Sequence, residues 1–71
     1  MTQLNIHLKN GDFITTDLYY DIIPQRLRIE KVKEAIAEGE IIEGIYYTSL
    51  GSMRTAKILI SENMVVSITT N

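Results

Sequence analysis

Leu4, Ile6 and Leu8 alternate with Asn5, His7 and Lys9, the period of two that a half-buried strand requires. A second short run, Asp12 to Thr16, follows the dipeptide Asn10-Gly11. Asn tolerates positive φ and Gly adopts it freely, so the pattern predicts a hairpin closed by a two-residue turn. That turn places Lys9 opposite Asp12, Leu8 opposite Phe13 and Ile6 opposite Thr15. Leu4, Ile6, Leu8 and Phe13 then share one face, and Ile14 and Leu18 fall beside His7 on the other.

The period changes after Pro24. Ile29, Val32 and Ile36, with Ala35 beside them, recur at helical spacing. Pro24 suits a first helical position, Ile22 and Leu27 stand in a staple relation, and Gly39 sits where a left-handed cap belongs. A helix over 24–38 is expected. Beyond it the pattern reverts to strands at Ile41–Thr48, Met53–Ser61 and Met64–Thr70. Ser49-Leu50-Gly51-Ser52 is read as one connection, and Glu62-Asn63 as a tight turn that pairs Ile60 with Val65 and Ile58 with Ser67. The expected fold is α+β, a five-stranded antiparallel sheet or partial barrel with one helix, in the order β-β-α-β-β-β. Several strands carry apolar side chains on both faces. One short helix covers one face, so barrel closure or a partner subunit is needed for the other.

Composition narrows this picture. The 71 residues make a single domain, 1–71, with a thin core. Twelve isoleucines against one Phe and no Trp favour a pleated surface. With no cysteine, disulfides and thiolate metal sites are excluded. One histidine does not make a His-rich site, and no cofactor is expected. The net charge of −2 lacks the cationic balance of a general nucleic-acid binder. The N-terminus shows no basic segment followed by an apolar run, and no stretch approaches the roughly 18 apolar residues that span a bilayer. A cytoplasmic protein without membrane contact is the expectation.

Candidate chemistry is sparse. His7 with Asp17 or Asp21 has the makings of a proton carrier, but no nucleophile motif accompanies it, so no catalytic residue is assigned and no enzyme is expected. Glu30, Glu34 and Glu38 align along the helix, interleaved with Arg26, Arg28, Lys31 and Lys33 as a solvated face would be. The doublets Tyr19-Tyr20 and Tyr46-Tyr47 are the suggestive surface feature. Neighbouring strand residues point to opposite faces, so one Tyr of each pair can lie off the core, where Tyr favours interfaces. Arg54 and Lys57 are the cations nearest them. Partner-binding residues are therefore expected among Tyr19, Tyr20, Tyr46, Tyr47, Arg54 and Lys57.

The segment Ile6-His7-Leu8-Lys9-Asn10-Gly11-Asp12-Phe13-Ile14 resembles the first hairpin of Sm-like RNA-binding proteins, and Met64-Val65-Val66-Ser67-Ile68-Thr69 is similar to their closing strand. The likeness covers about a fifth of the chain and implies a small barrel that binds RNA. The chain departs from that pattern by placing its helix after the second strand. In size and tone it is also similar to small accessory proteins of bacteriophage and mobile elements. Two functions follow as expectations. The first is a non-enzymatic, self-associating interaction protein that acts as an adaptor or inhibitor by binding another protein. The alternative is a small β-barrel that binds RNA or single-stranded DNA through Tyr20 or Tyr46 with Arg54 and Lys57.

Overall fold

A computed structural model describes residues 3–17 and 24–70, apart from the side chains of Gln25 and Arg26. Strands β1 (Leu4–Leu8) and β2 (Phe13–Thr16) precede the helix α1 (Gln25–Ala37). Strands β3 (Ile41–Tyr47), β4 (Met53–Leu59) and β5 (Val65–Thr70) follow it. All neighbours pair antiparallel in the order β4-β3-β2-β1-β5, so the fold is α+β with an open five-stranded sheet.

The first hairpin differs from the expected one by a single residue. Ile6 pairs with Ile14 and His7 with Phe13. Gly11 N–H donates to the Leu8 carbonyl at 3.1 Å and Leu8 N–H to the Asp12 carbonyl at 2.9 Å, which makes a three-residue loop of Lys9, Asn10 and Gly11. Gly11 takes the left-handed position at φ 90°, as a turn ending in a glycine bulge demands. A slip of one residue flips every side chain of β2. Ile14 thereby joins Leu4, Ile6 and Leu8 in the core, and Phe13 moves beside His7. The hydrophobic pattern decides the register, because the alternative would strand Ile14 among polar groups.

Thr48 to Ser52 repeats the construction. Gly51 N–H donates to the Thr48 carbonyl at 3.0 Å, Thr48 N–H to the Ser52 carbonyl at 2.9 Å, and Gly51 has φ 96°. Both loops lie at the same end of the sheet, where a Cβ on Gly11 would come within 3.3 Å of the Ser49 Cβ.

The helix starts one residue later than expected, with Pro24 as its cap rather than its first residue. It closes on Gly39 at φ 77°, where Gly39 N–H donates to the Ile36 carbonyl and Glu40 N–H to the Ala35 carbonyl, a Schellman ending. Val32, Ala35 and Ile36 are buried and Ile29 packs beside them. Arg28, one turn before Val32, belongs to the same stripe: it is buried, not on the solvated face. Leu27 of the expected staple is exposed, and its partner Ile22 lies outside the described residues.

The predicted β4–β5 hairpin is not formed. β4 and β5 are the two outer strands, and β5 pairs with β1, placing Ile68 opposite Ile6 and Ser67 opposite His7. A 3-10 turn at Glu62–Met64 replaces the tight turn, and buried Ile60 anchors the link in the core. Six steps that include this turn reach about 16 Å, whereas in a flat sheet Leu59 and Val65, at opposite ends of the two outer strands, would stand about 28 Å apart. The sheet is therefore curled, yet its edges do not pair.

Every core strand residue (Leu4, Ile6, Leu8, Ile14, Ile42, with Ile58 and Ile68 packed against them) lies on the face that α1 covers. The other face carries the remaining positions of the same strands. The candidate site lies there and at the loop end of the sheet.

Candidate functional site

At the loop end, the Asp12 carboxylate joins the two glycine turns. Tyr46 O–H donates to Asp12 Oδ2 at 2.6 Å, Ser49 N–H to Oδ1 at 2.8 Å, and Asn10 Nδ2 to Oδ2 at 3.2 Å. Asp12 N–H in turn donates to Asn10 Oδ1 at 3.0 Å. The Tyr46 hydroxyl, followed by the Ser49 amide, holds the Asp12 carboxyl below its ordinary value. The same hydrogen bond, with burial second, pushes the Tyr46 phenol up. The Arg54 guanidinium lies 5.3 Å from the centre of the Tyr46 ring, within cation–π range. A phenol raised in this way gives up its proton less readily, and the carboxylate already has three donors. The cluster ties β1–β2 to β3–β4 and holds no poised nucleophile.

On the face away from the helix, the pairing His7–Phe13, Phe13–Tyr47 and Tyr47–Met53 lines up one cross-strand row. Phe13 and Tyr47 stack with centroids 4.8 Å apart and planes at 14°. His7 tilts against the other side of Phe13 at 5.6 Å. His7 Nε2 meets Thr69 Oγ1 of β5 at 2.9 Å. The faces of Phe13 are thus taken by its own neighbours, which leaves ring edges rather than flat stacking platforms toward solvent. Next along the strands, the Thr15 hydroxyl donates to Asn5 Oδ1 at 2.8 Å.

Toward the β4 edge the same face becomes apolar and open. Ile41 and Leu59 are directly opposed on β3 and β4, 61% and 65% exposed, and Met53 is 66% exposed at the other end of β4. Between them Lys57 pairs with Glu43 at 3.6 Å. Elsewhere, a groove of about 500 Å³ runs between α1 and β5, lined by Ile36, Val65 and Ile68 with Lys33 and Glu62.

Of the six residues expected to meet a partner, the structure brings Tyr46 and Arg54 together at the loop end. Tyr47 and Lys57 lie on the opposite face, each already beside a neighbour. Tyr19 and Tyr20 lie outside the described residues, as does Asp21. The doublet rule holds for Tyr46 and Tyr47, which take opposite faces. Sequence reasoning missed Ile41, Met53 and Leu59. The register that opposes Ile41 to Leu59 depends on the length of the loop at Gly51, which a turn glycine alone does not give. Among the described residues no three His, Cys, Asp or Glu side chains converge to hold a metal ion, and no helix is long and apolar enough to cross a membrane. Comparisons with protein-family models, with curated proteins and with solved structures found no match.

Proposed function

We propose that this chain is a non-enzymatic interaction protein that associates with itself and works as an adaptor or inhibitor by occupying a surface on another protein. The observation that carries the reading is the exposure of Ile41, Met53 and Leu59 on the sheet face turned away from α1. Large apolar side chains grouped on one face of a small domain mark a contact surface more often than solitary ones do. The polar groups support it: the Asp12 carboxylate accepts from Tyr46, Arg54 lies over the Tyr46 ring, and Lys57 pairs with Glu43, all contacts made within the fold. The test is mass in solution across about 1 to 500 μM, the range over which small interfaces assemble. We expect a concentration-dependent rise above 8.1 kDa. A constant monomer mass overturns self-association.

The oligonucleotide reading is the weaker one. Arg54 lies over the Tyr46 ring and Lys57 pairs with Glu43, so phosphate would compete with contacts the fold already makes. A titration with mixed-sequence oligonucleotides at low salt is expected to give no retention. Binding that weakens steeply with added salt would reinstate it.

A further inference from the structure

We infer that two copies of this chain join edge to edge through β4, about a two-fold axis normal to the sheet at Ala56. The inference rests on the self-association proposed above and names its surface.

Among the described residues β4 pairs with β3 alone, so its outer backbone edge is open. An unpaired edge of seven residues is a template for another strand. Two identical edges that continue one sheet around a two-fold must run antiparallel, and opposed residues must point to the same face. Residue numbers that face each other then add to an even total. Few registers satisfy this, and their chemistry differs sharply. Centring on Lys57 sets two like charges directly against each other, which is unfavourable. Centring on Thr55 sets Met53 against Lys57 of the second copy.

Centring on Ala56, the middle of the strand, overlaps all seven residues. It opposes Met53 to Leu59 of the second copy, and Thr55 to Lys57, twice each. Lys57 brings its own counter-charge, because Glu43 stays 3.6 Å away within the same protomer. The two exposed large apolar side chains of the strand are thus brought onto each other.

The neighbouring strands extend this match. In one protomer, Ile41–Leu59 is a short apolar row that ends abruptly at the β4 edge. His7–Phe13–Tyr47–Met53 is a longer row that ends at the opposite corner of the same edge. The two-fold joins the short row of each copy to the long row of the other. Ile41, Leu59, Met53, Tyr47 and Phe13 then form one unbroken line across the joint, and a second line follows by symmetry. A partner with unrelated sequence has no reason to supply the complementary row ends, whereas a second copy supplies both.

β5 does not offer this. Its ladder with β1 is broken by a bulge between His7 and Leu8, and its exposed Val66 has no matching row end. An interface built on one strand edge is at the small end of specific interfaces, so we expect dissociation constants in the micromolar range or weaker.

The chain has no cysteine, so introduced thiols report without background. Chains carrying Met53→Cys and chains carrying Leu59→Cys are prepared separately, mixed in equal amounts, and treated with a short bis-maleimide, which adds one thiol across each of its two double bonds. A covalent dimer joining position 53 to position 59 is expected from the mixture. Neither variant alone should give it, because positions 53 of two copies stand about 20 Å apart in this register. In parallel, Leu59→Lys should weaken the dimer by about tenfold or more, while circular dichroism shows the monomer still folded. A monomer at every concentration overturns both this inference and the self-association beneath it. A dimer without the 53–59 link, a dimer indifferent to Leu59→Lys, or larger rings linking position 53 to Val66→Cys overturns the β4 two-fold while self-association stands.

Discussion

At the residue scale, one glycine closes the turn whose length fixes the register of the first hairpin. Asn10-Gly11 is legible in the sequence as a turn, but its length is not, since two- and three-residue loops both use a glycine of positive φ there. The choice is made by Ile14, which needs the core, and by Asp12, which needs the second turn. Gly11→Ala meets both a left-handed backbone and the Ser49 side chain, so we expect a loss of about 1–2 kcal/mol and a lower melting temperature. Asp12 gives a pH signature. Its carboxyl is held below the ordinary value of 3.8, so the stability it contributes is complete above that pH. That contribution is lost as pH falls below it through the folded value. Tyr46 is raised above 10.0, so its contribution is complete below pH 10 and lost as pH climbs higher. Melting curves of Asp12→Asn should therefore be less stable at neutral pH and flatter than the parent at both extremes. An identical pH profile would refute the role assigned to this carboxylate.

At the element scale, local signals succeed where a residue has one conformational job. Gly39 ends the helix as its position predicts, and Ile29, Val32 and Ile36 face the core as their spacing predicts. The failures come from long-range choices. Nothing local distinguishes a β4–β5 hairpin from a link that carries β5 to the opposite edge. Burial of Ile60 and the exposed inner edge of β1 decide it, and both are properties of the assembled sheet. Gly44 is another element-scale residue. A Cβ there would meet the Thr15 carbonyl oxygen, because β2 and β3 approach closely where Thr16 Oγ1 donates to the Glu43 carbonyl at 2.8 Å. Gly44→Ala should cost about 1–3 kcal/mol, since a backbone and not a flexible side chain must yield. Chemical denaturation of the purified variant measures it directly, and an unchanged midpoint would show that the strands can separate without loss.

At the scale of the whole molecule, the chain buries one face of its sheet and leaves the other half-finished. This much was readable from strands with apolar residues on both sides. Which residues remain outside was not, because the answer turns on the one-residue slip in the first hairpin and on where the sheet ends. The asymmetry separates two chemically identical changes. Ile6→Ala empties a fully buried site and should cost about 2–5 kcal/mol. Ile41→Ala removes a side chain already mostly in water and should change the stability of the dilute monomer by no more than about 0.5 kcal/mol. At high protein concentration the second variant should lose more, because a partner that binds only the folded chain adds to its stability by mass action. The melting temperature of the parent should accordingly rise with concentration, and that of Ile41→Ala should rise less. Melting curves that superimpose across the concentration range would mean that folding is completed within one chain, and that the open face contributes nothing to it.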